Sequence, residues 1–326
     1  MQVKRPLAMV MLSAFAGLAI DAAAADTAIG GKEPPPIRLA QAPESNPIRP
    51  GQHQRQQQSE RPANNSGGGF WQRLTGGGQN TATDRTSAAP GANTAQQRLL
   101  AAYPGAFRIE GNAVVFPSGE RIVWDDGRRK SPADLLVDAD VEDMFAYPYP
   151  PASRGEMAPP KDHDPGRIRN EAFFKALYGA SEGAVRAEVR TIPWVPRLGN
   201  STLTVTTRFG IDQKLAAVSD ELQRLPPRFH KYLTPPAGAF LWRQIAGTDR
   251  LSVHAFGAAV DINTQFTNYW RWDNAAAGGD IPYRNQIPIE IVEVFEKYCF
   301  IWGGRWHHYD TMHFEYRPEF LPNCRN

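Results

Sequence analysis

The stretch SVHAFGAAVDIN, residues 252–263, sets His254 and Asp261 into an otherwise small, apolar run. Imidazole and carboxylate are both ligands that zinc takes. In one straight strand, residues an odd number of positions apart point to opposite faces, so these two could not meet at one ion. Gly257 interrupts the run. It lets His254 lie in a turn while Ala259 and Asp261 belong to a strand, and the turn brings the imidazole back over the carboxylate. Taken alone, the pair also fits a plain turn beside a core strand. The second group is WGGRWHHYDTMHFEY, residues 302–316, which holds His307, His308 and His313 with Asp310 among them. A catalytic zinc site takes three protein ligands and leaves its fourth position to water. His254, Asp261 and one histidine of this stretch make such a set. A free carboxylate nearby would take the proton from the water, and Asp310 fits if it sits on the turn entering a strand that carries His313. The competing readings are an aromatic and histidine patch, or a local site made from His307, His308 and Asp310.

The elements that must position these residues are legible in outline. Upstream, short β-prone runs at 107–109, 114–116 and 121–124 are split by Gly111-Asn112 and Pro117-Ser118-Gly119, which are hairpin signals. Ser131-Pro132 looks like a helix start, and the proline-rich segment 147–165 is a loop. Ile168, Ala172, Phe173 and Leu177 share a helical face. Val185, Ala187 and Val189 alternate with charged residues, which predicts a half-exposed strand, and 203–207 predicts another. Ile211, Leu215, Val218, Leu222 and Leu225 follow at helical spacing until Pro226-Pro227. Residues 240–245 read as a strand ended by Gly247-Thr248. A helix is expected from Pro288, with Ile291, Phe295 and Tyr298 on one side, ending at Gly303-Gly304. Strands and helices mix without a βαβ rhythm, so the expected class is α+β: an antiparallel sheet with helices packed on one face, the metal site at the sheet, and a small N-terminal lobe.

The chain has 326 residues, 41% of them hydrophobic and 21% charged, with a formal net charge of +2. That suits one or two globular domains and makes no case for nucleic acid as a partner. Residues 1–25 have the layout of a secretory signal peptide: Lys4 and Arg5, an apolar run over 6–20, then Ala22 to Ala25. The run is too short to favour a permanent membrane span. An exported protein is expected, periplasmic first and secreted as the alternative, with no membrane span after cleavage. Residues 26–98, rich in Gln, Gly and Pro, are expected to be a disordered linker. An N-terminal lobe over 99–180 and the metal-site domain over 181–326 follow. Export also permits a disulfide between Cys299 and Cys324, the two cysteines of the chain; two buried free thiols are the other reading.

Together the two stretches resemble the zinc D-alanyl-D-alanine carboxypeptidases and their peptidoglycan endopeptidase relatives. The family pattern, S-x-H-x-x-G-x-A-x-D followed by [DE]-x-x-H, is met at Ser252, His254, Gly257, Ala259, Asp261, Asp310 and His313. The resemblance covers roughly residues 209–320. It implies that His254, Asp261 and His313 hold one zinc ion and that Asp310 is the catalytic base. It also implies that Arg243 binds substrate and stabilises the transition state. Ser252, Trp306 and His308 are the expected substrate contacts, with Ser252 equally suited to fixing the turn. The implied substrate is peptidoglycan or its stem peptides. Two features depart from the family: Arg305 stands where many endopeptidase relatives carry an acid, and the lobe over 99–180 has no counterpart in the minimal enzymes. One rival reading is a non-catalytic cell-wall-binding module with a structural metal, closed by His307 or His308. Another is a scaffold that recruits partners through its linker and Trp71.

Overall fold

The computed structural model describes residues 94–245, 247–273 and 281–324. The signal-peptide reading, Trp71 and nearly all of the expected linker lie outside the described residues. Order begins before Leu99. Thr94 and Gln97 form a reciprocal capping box, which starts helix α1 at Ala95 (Ala95–Ala102) and buries Leu99 and Ala102. Strands β1 (Arg108–Glu110), β2 (Ala113–Val115) and β3 (Arg121–Val123) then pair antiparallel in chain order. Helix α2 (Pro132–Val137) is capped by Ser131 with Asp134, as its sequence predicts. The segment 147–165 is loop, apart from a short turn at Ala152–Arg154.

Helix α3 (Glu171–Tyr178) buries Phe173, Phe174, Leu177 and Tyr178. The strand expected from Val185 begins later. Residues Glu182–Arg186 form a short helix, α4, because Ser181 caps it and Arg186 pairs with Glu182 one turn back at 2.7 Å. Strand β4 (Val189–Pro193) starts after it and pairs with β5 (Thr202–Thr206), and α5 (Ile211–Leu222) follows. Residues 240–245 do not form a strand. Phe240 N bonds to Thr204, while 241–245 run antiparallel to 250–254: Leu241 N donates to His254, Ser252 N to Arg243 and Ile245 N to Arg250. Only Gln244 and Leu251 form a bridge, so the run is one arm of a short, irregular hairpin and joins no sheet among the described residues.

The site region contains β6 (Ala259–Asp261), α6 (Ile289–Lys297), β7 (Phe300–Trp302) and β8 (His313–Tyr316). Helix α6 ends well before Gly303. Cys299 turns the chain with φ 73°, and Phe300–Trp302 leave as a strand because β8 offers them a partner. The third sheet has the order β6-β8-β7 and is antiparallel throughout. The class is α+β, but among the described residues there are three small antiparallel sheets in place of one. Strands of three to five residues, each stopped by a turn, cannot extend a common sheet.

One apolar core runs from Leu99 in α1 to Tyr316 in β8. Phe295 of α6 stacks on Phe314 of β8 at 3.7 Å between centroids, and Tyr103 meets Tyr316 edge-on at 6.5 Å. Cys299 and Cys324 are joined as a disulfide, which ties the chain end to the start of β7. No described helix is long and apolar enough to cross a membrane.

Candidate metal centre

Ser252 opens a single helical turn, Val253–Phe256, and its hydroxyl accepts the backbone N–H of His254 at 3.4 Å. Gly257 closes the turn with φ +66°, and its carbonyl accepts the N–H of Thr206 at 3.0 Å. A Cβ at Gly257 would stand 2.8 Å from that same nitrogen, so only glycine allows the turn to press against the end of β5. The chain then enters β6, where Asp261 is the direct cross-strand partner of His313 on β8. The turn delivers the third side chain, His254.

Three ligating side chains converge. His254 Nε2 lies 3.2 Å from Asp261 Oδ2 and 3.2 Å from His313 Nδ1, and His313 Nδ1 lies 3.0 Å from Asp261 Oδ1. A tetrahedral ion with bonds near 2.0 Å needs ligand atoms about 3.3 Å apart, so these separations match one face of such a shell. The far nitrogens settle the tautomers. His254 Nδ1 is 2.6 Å from the Ala239 carbonyl, and His313 Nε2 is 3.0 Å from Glu315 Oε2. Both oxygens only accept, so both far nitrogens carry the proton in the neutral rings. The two lone pairs therefore point at each other and at a carboxylate, an arrangement that demands a cation or an extra proton between them. The field there is strongly negative. Burial pulls His313 down, yet its bonds to Asp261 and Glu315 outweigh that and raise it to about 9. Burial likewise pushes Asp261 up, but His254 and His313 hold it well below the usual carboxylate range.

The support behind His313 is itself ionic. Glu315 is fully buried between Arg169 at 3.1 Å and Arg317 at 3.0 Å. Its burial is opposed chiefly by Arg169, with His313 and Arg317 adding to it, so its carboxyl is held at about 2. Glu315 thus stays charged and fixes the imidazole.

Asp310 stands at the entry to β8. Its N–H donates to the Gly303 carbonyl at 3.0 Å and its carbonyl accepts from His313 N–H at 3.2 Å. A Cβ on Gly303 would be 2.4 Å from the Asp310 carbonyl oxygen, so this approach also needs glycine. Asp310 Oδ1 is buried with no hydrogen-bond partner among the described residues. Burial and the charge of Asp261 push its carboxyl up to about 6, against the pull of His313, Arg167 and His254. Trp306 is 2% exposed; its indole N–H donates to the Pro165 carbonyl at 2.6 Å and its ring lies 5.5 Å from that of His313. It walls the site.

The remaining sequence candidates lie further out. Arg243 is exposed, and its guanidinium donates to the Gln244 carbonyl at 3.5 Å. His308 turns its Nδ1 to Asp164 Oδ2 at 2.9 Å and its ring edge to Trp270. Arg305 is buried and donates to the Gly155 carbonyl at 2.9 Å, holding the proline-rich loop where an acid would have no use. Sequence reasoning missed Asp164, Arg167 and Arg169, which arrive from that loop. Arg167 donates to the His308 carbonyl at 3.1 Å, lies 5.4 Å from the Trp306 ring and acts electrostatically on Asp310. The one signal was the alternation of charges in DPGRIR, residues 164–169.

Residues 246–316 match the family described as D-alanyl-D-alanine carboxypeptidase. The matched segment contains Ser252, His254, Gly257, Asp261, Asp310 and His313, so it bears out the resemblance and supports a peptidase of that kind. Asp164, Arg167, Arg169 and Arg243 lie upstream of it. No curated protein and no solved structure matches the chain.

Proposed function

We propose that the protein is an exported, zinc-dependent peptidase that hydrolyses an amide bond of peptidoglycan stem peptides, at a terminal D-alanine or within a stem or cross-link. One observation carries this reading. Three ligating side chains, whose donor atoms approach one another to 3.0–3.2 Å, stand beside a raised carboxyl with one oxygen unpartnered among the described residues, inside the segment that matches the peptidase family. Zinc bound there supplies Lewis acidity that brings the pKa of a water to about 7. Asp310 takes the proton of the attacking water and delivers it to the leaving amine. His254, Asp261 and His313 hold the ion, while Glu315 and the Ala239 carbonyl fix the two rings. Arg167 beside Asp310, with the exposed Arg243 swinging onto substrate, offers positive charge where the carbonyl oxygen becomes anionic. Trp306 excludes water from one side. A periplasmic location rests on the N-terminal sequence and agrees with the disulfide.

The reading as a binding module asks for a fourth protein ligand. His308 is engaged by Asp164 at 2.9 Å, and neither His307 nor His308 joins the His254, Asp261 and His313 group, which speaks against it. The deciding experiment is digestion of purified peptidoglycan fragments by wild type and Asp310→Ala, with zinc assayed in both. Defined fragments from the wild type, and a variant that keeps zinc but cuts nothing, support the peptidase; fragment masses name the bond. One zinc in each protein with no cleavage by either means a binding module.

A further inference from the structure

A second set of donors lies outside the centre just described. Asp164, His307 and His308 each place one ligand-type atom within 4.8 Å of the others. Their side chains are 3%, 13% and 21% exposed, so this is not a loose surface cluster. Asp164 and His308 are 144 residues apart in sequence, yet two backbone bonds lay their segments side by side. The His307 N–H donates to the His163 carbonyl at 2.8 Å, and the His308 N–H donates to Asp164 Oδ1 at 3.0 Å. Asp164 Oδ2 then faces His308 Nδ1 at 2.9 Å.

One atom in this set is unexplained. His307 Nδ1 is buried with no hydrogen-bond partner among the described residues. The Asp162 carboxylate, at 3.8 Å, is too far for a hydrogen bond. Buried polar atoms without partners are costly and rare, and a bound ion is one of the few things that explains one.

We infer that Asp164, His307 and His308 form a second site for a divalent transition metal, with Zn2+ the best fit to two imidazoles and one carboxylate. The donors are Asp164 Oδ2, His308 Nδ1 and His307 Nδ1. On binding, the ion replaces the proton now shared between His308 and Asp164, and that proton leaves to solvent. The surrounding charge permits it. Lys161 and Arg167 act on the cluster, Asp162 and Asp164 offset them, and Arg167 spends its hydrogen bond on the His308 carbonyl, not on the Asp164 carboxylate. The ion would clamp the loop that carries Arg167 to the loop that carries Asp310. The inference uses none of the ligands of the first centre and does not depend on peptidase activity.

The test is a zinc count on the purified full chain, stripped with chelator and dialysed against Zn2+, for wild type, His254→Ala, His307→Ala and Asp164→Asn. Co2+ spectra read ligand type, and thermal melting checks folding. The expected result is two equivalents in wild type and one in each variant. His307→Ala and Asp164→Asn retain the equivalent that His254→Ala loses. A single wild-type equivalent, lost in His254→Ala and kept in the other two, overturns the second site and leaves the peptidase reading intact. A single equivalent lost only in His307→Ala and Asp164→Asn upholds the second site and sinks the first. Should His307→Ala not fold, Asp164→Asn, which keeps the size of its side chain, makes the same comparison against His254→Ala.

Discussion

Asp310 and Asp261 share one site and are driven in opposite directions. Burial and the negative charge of Asp261 raise Asp310 to about 6, while His254 and His313 hold Asp261 well below its usual range. Two carboxyls pushed apart in this way can divide the work between a permanent anion and a proton carrier.

The first prediction concerns pH. A general base works only when ionised, so kcat/KM should fall as pH drops through the Asp310 value. A bound cation draws that value down, which puts the acid limb at or below pH 6. Asp310→Asn should keep its zinc and lose about 10²–10⁴-fold in rate. Steady-state kinetics from pH 4 to 8, with metal analysis, would test both; an acid limb unchanged in the variant would remove Asp310 from this role.

Arg167 lowers the Asp310 value by its charge. Arg167→Met should therefore move the acid limb to higher pH. Arg243 is not among the groups that act on the Asp310 carboxyl, and Arg243→Met should leave the limb in place while lowering kcat about 10²-fold through loss of charge at the developing oxyanion. A limb shifted by Arg243→Met and not by Arg167→Met would reverse the two assignments.

Gly257→Ala forces a side chain into the left-handed region, which costs about 1–2 kcal/mol. The new methyl also meets the Thr206 backbone at 2.8 Å, so the loss should exceed that range. Because the same turn delivers His254, zinc affinity should fall with it. Urea denaturation and zinc titration of the variant give the two numbers, and a wild-type midpoint would show that the turn yields easily.

The disulfide closes a loop with a sequence separation of 25. Removing it with Cys299→Ala and Cys324→Ala should cost about 3 kcal/mol in the chain-entropy account. The donor triad lies on β6, β8 and the 253–256 turn, so zinc stoichiometry should survive. Denaturation of the double variant, with and without zinc, measures both.

Much of the first centre could be read from local order. The seven-residue step from His254 to Asp261 with glycine inside it, and the three-residue step from Asp310 to His313, are short-range facts. A turn and a strand realise them in only a few ways. The helix and strand errors have one origin. Residues 185–189 alternate like a strand, but the Ser181 cap and the Glu182–Arg186 pair make Val185 and Arg186 helical, and the strand starts only at Val189. Residues 240–245 have strand composition, yet they meet only the short segment 250–254 in an irregular hairpin, with Phe240 turned to Thr204.

By itself, the sequence singled out His254, Asp261 and His313 as candidate metal ligands, the turn at Gly257 between the first two, and a strand each for Asp261 and His313. Only the tertiary structure decided that β6 and β8 pair in that register, that Glu315 is buried between Arg169 and Arg317, and that Asp164 and Arg167 reach the site from 144 and 141 residues away. The physical reason is distance along the chain. Periodicity, capping and glycine report what neighbours can do, whereas a contact between remote segments is chosen by the packing of the whole core, and no local pattern encodes it.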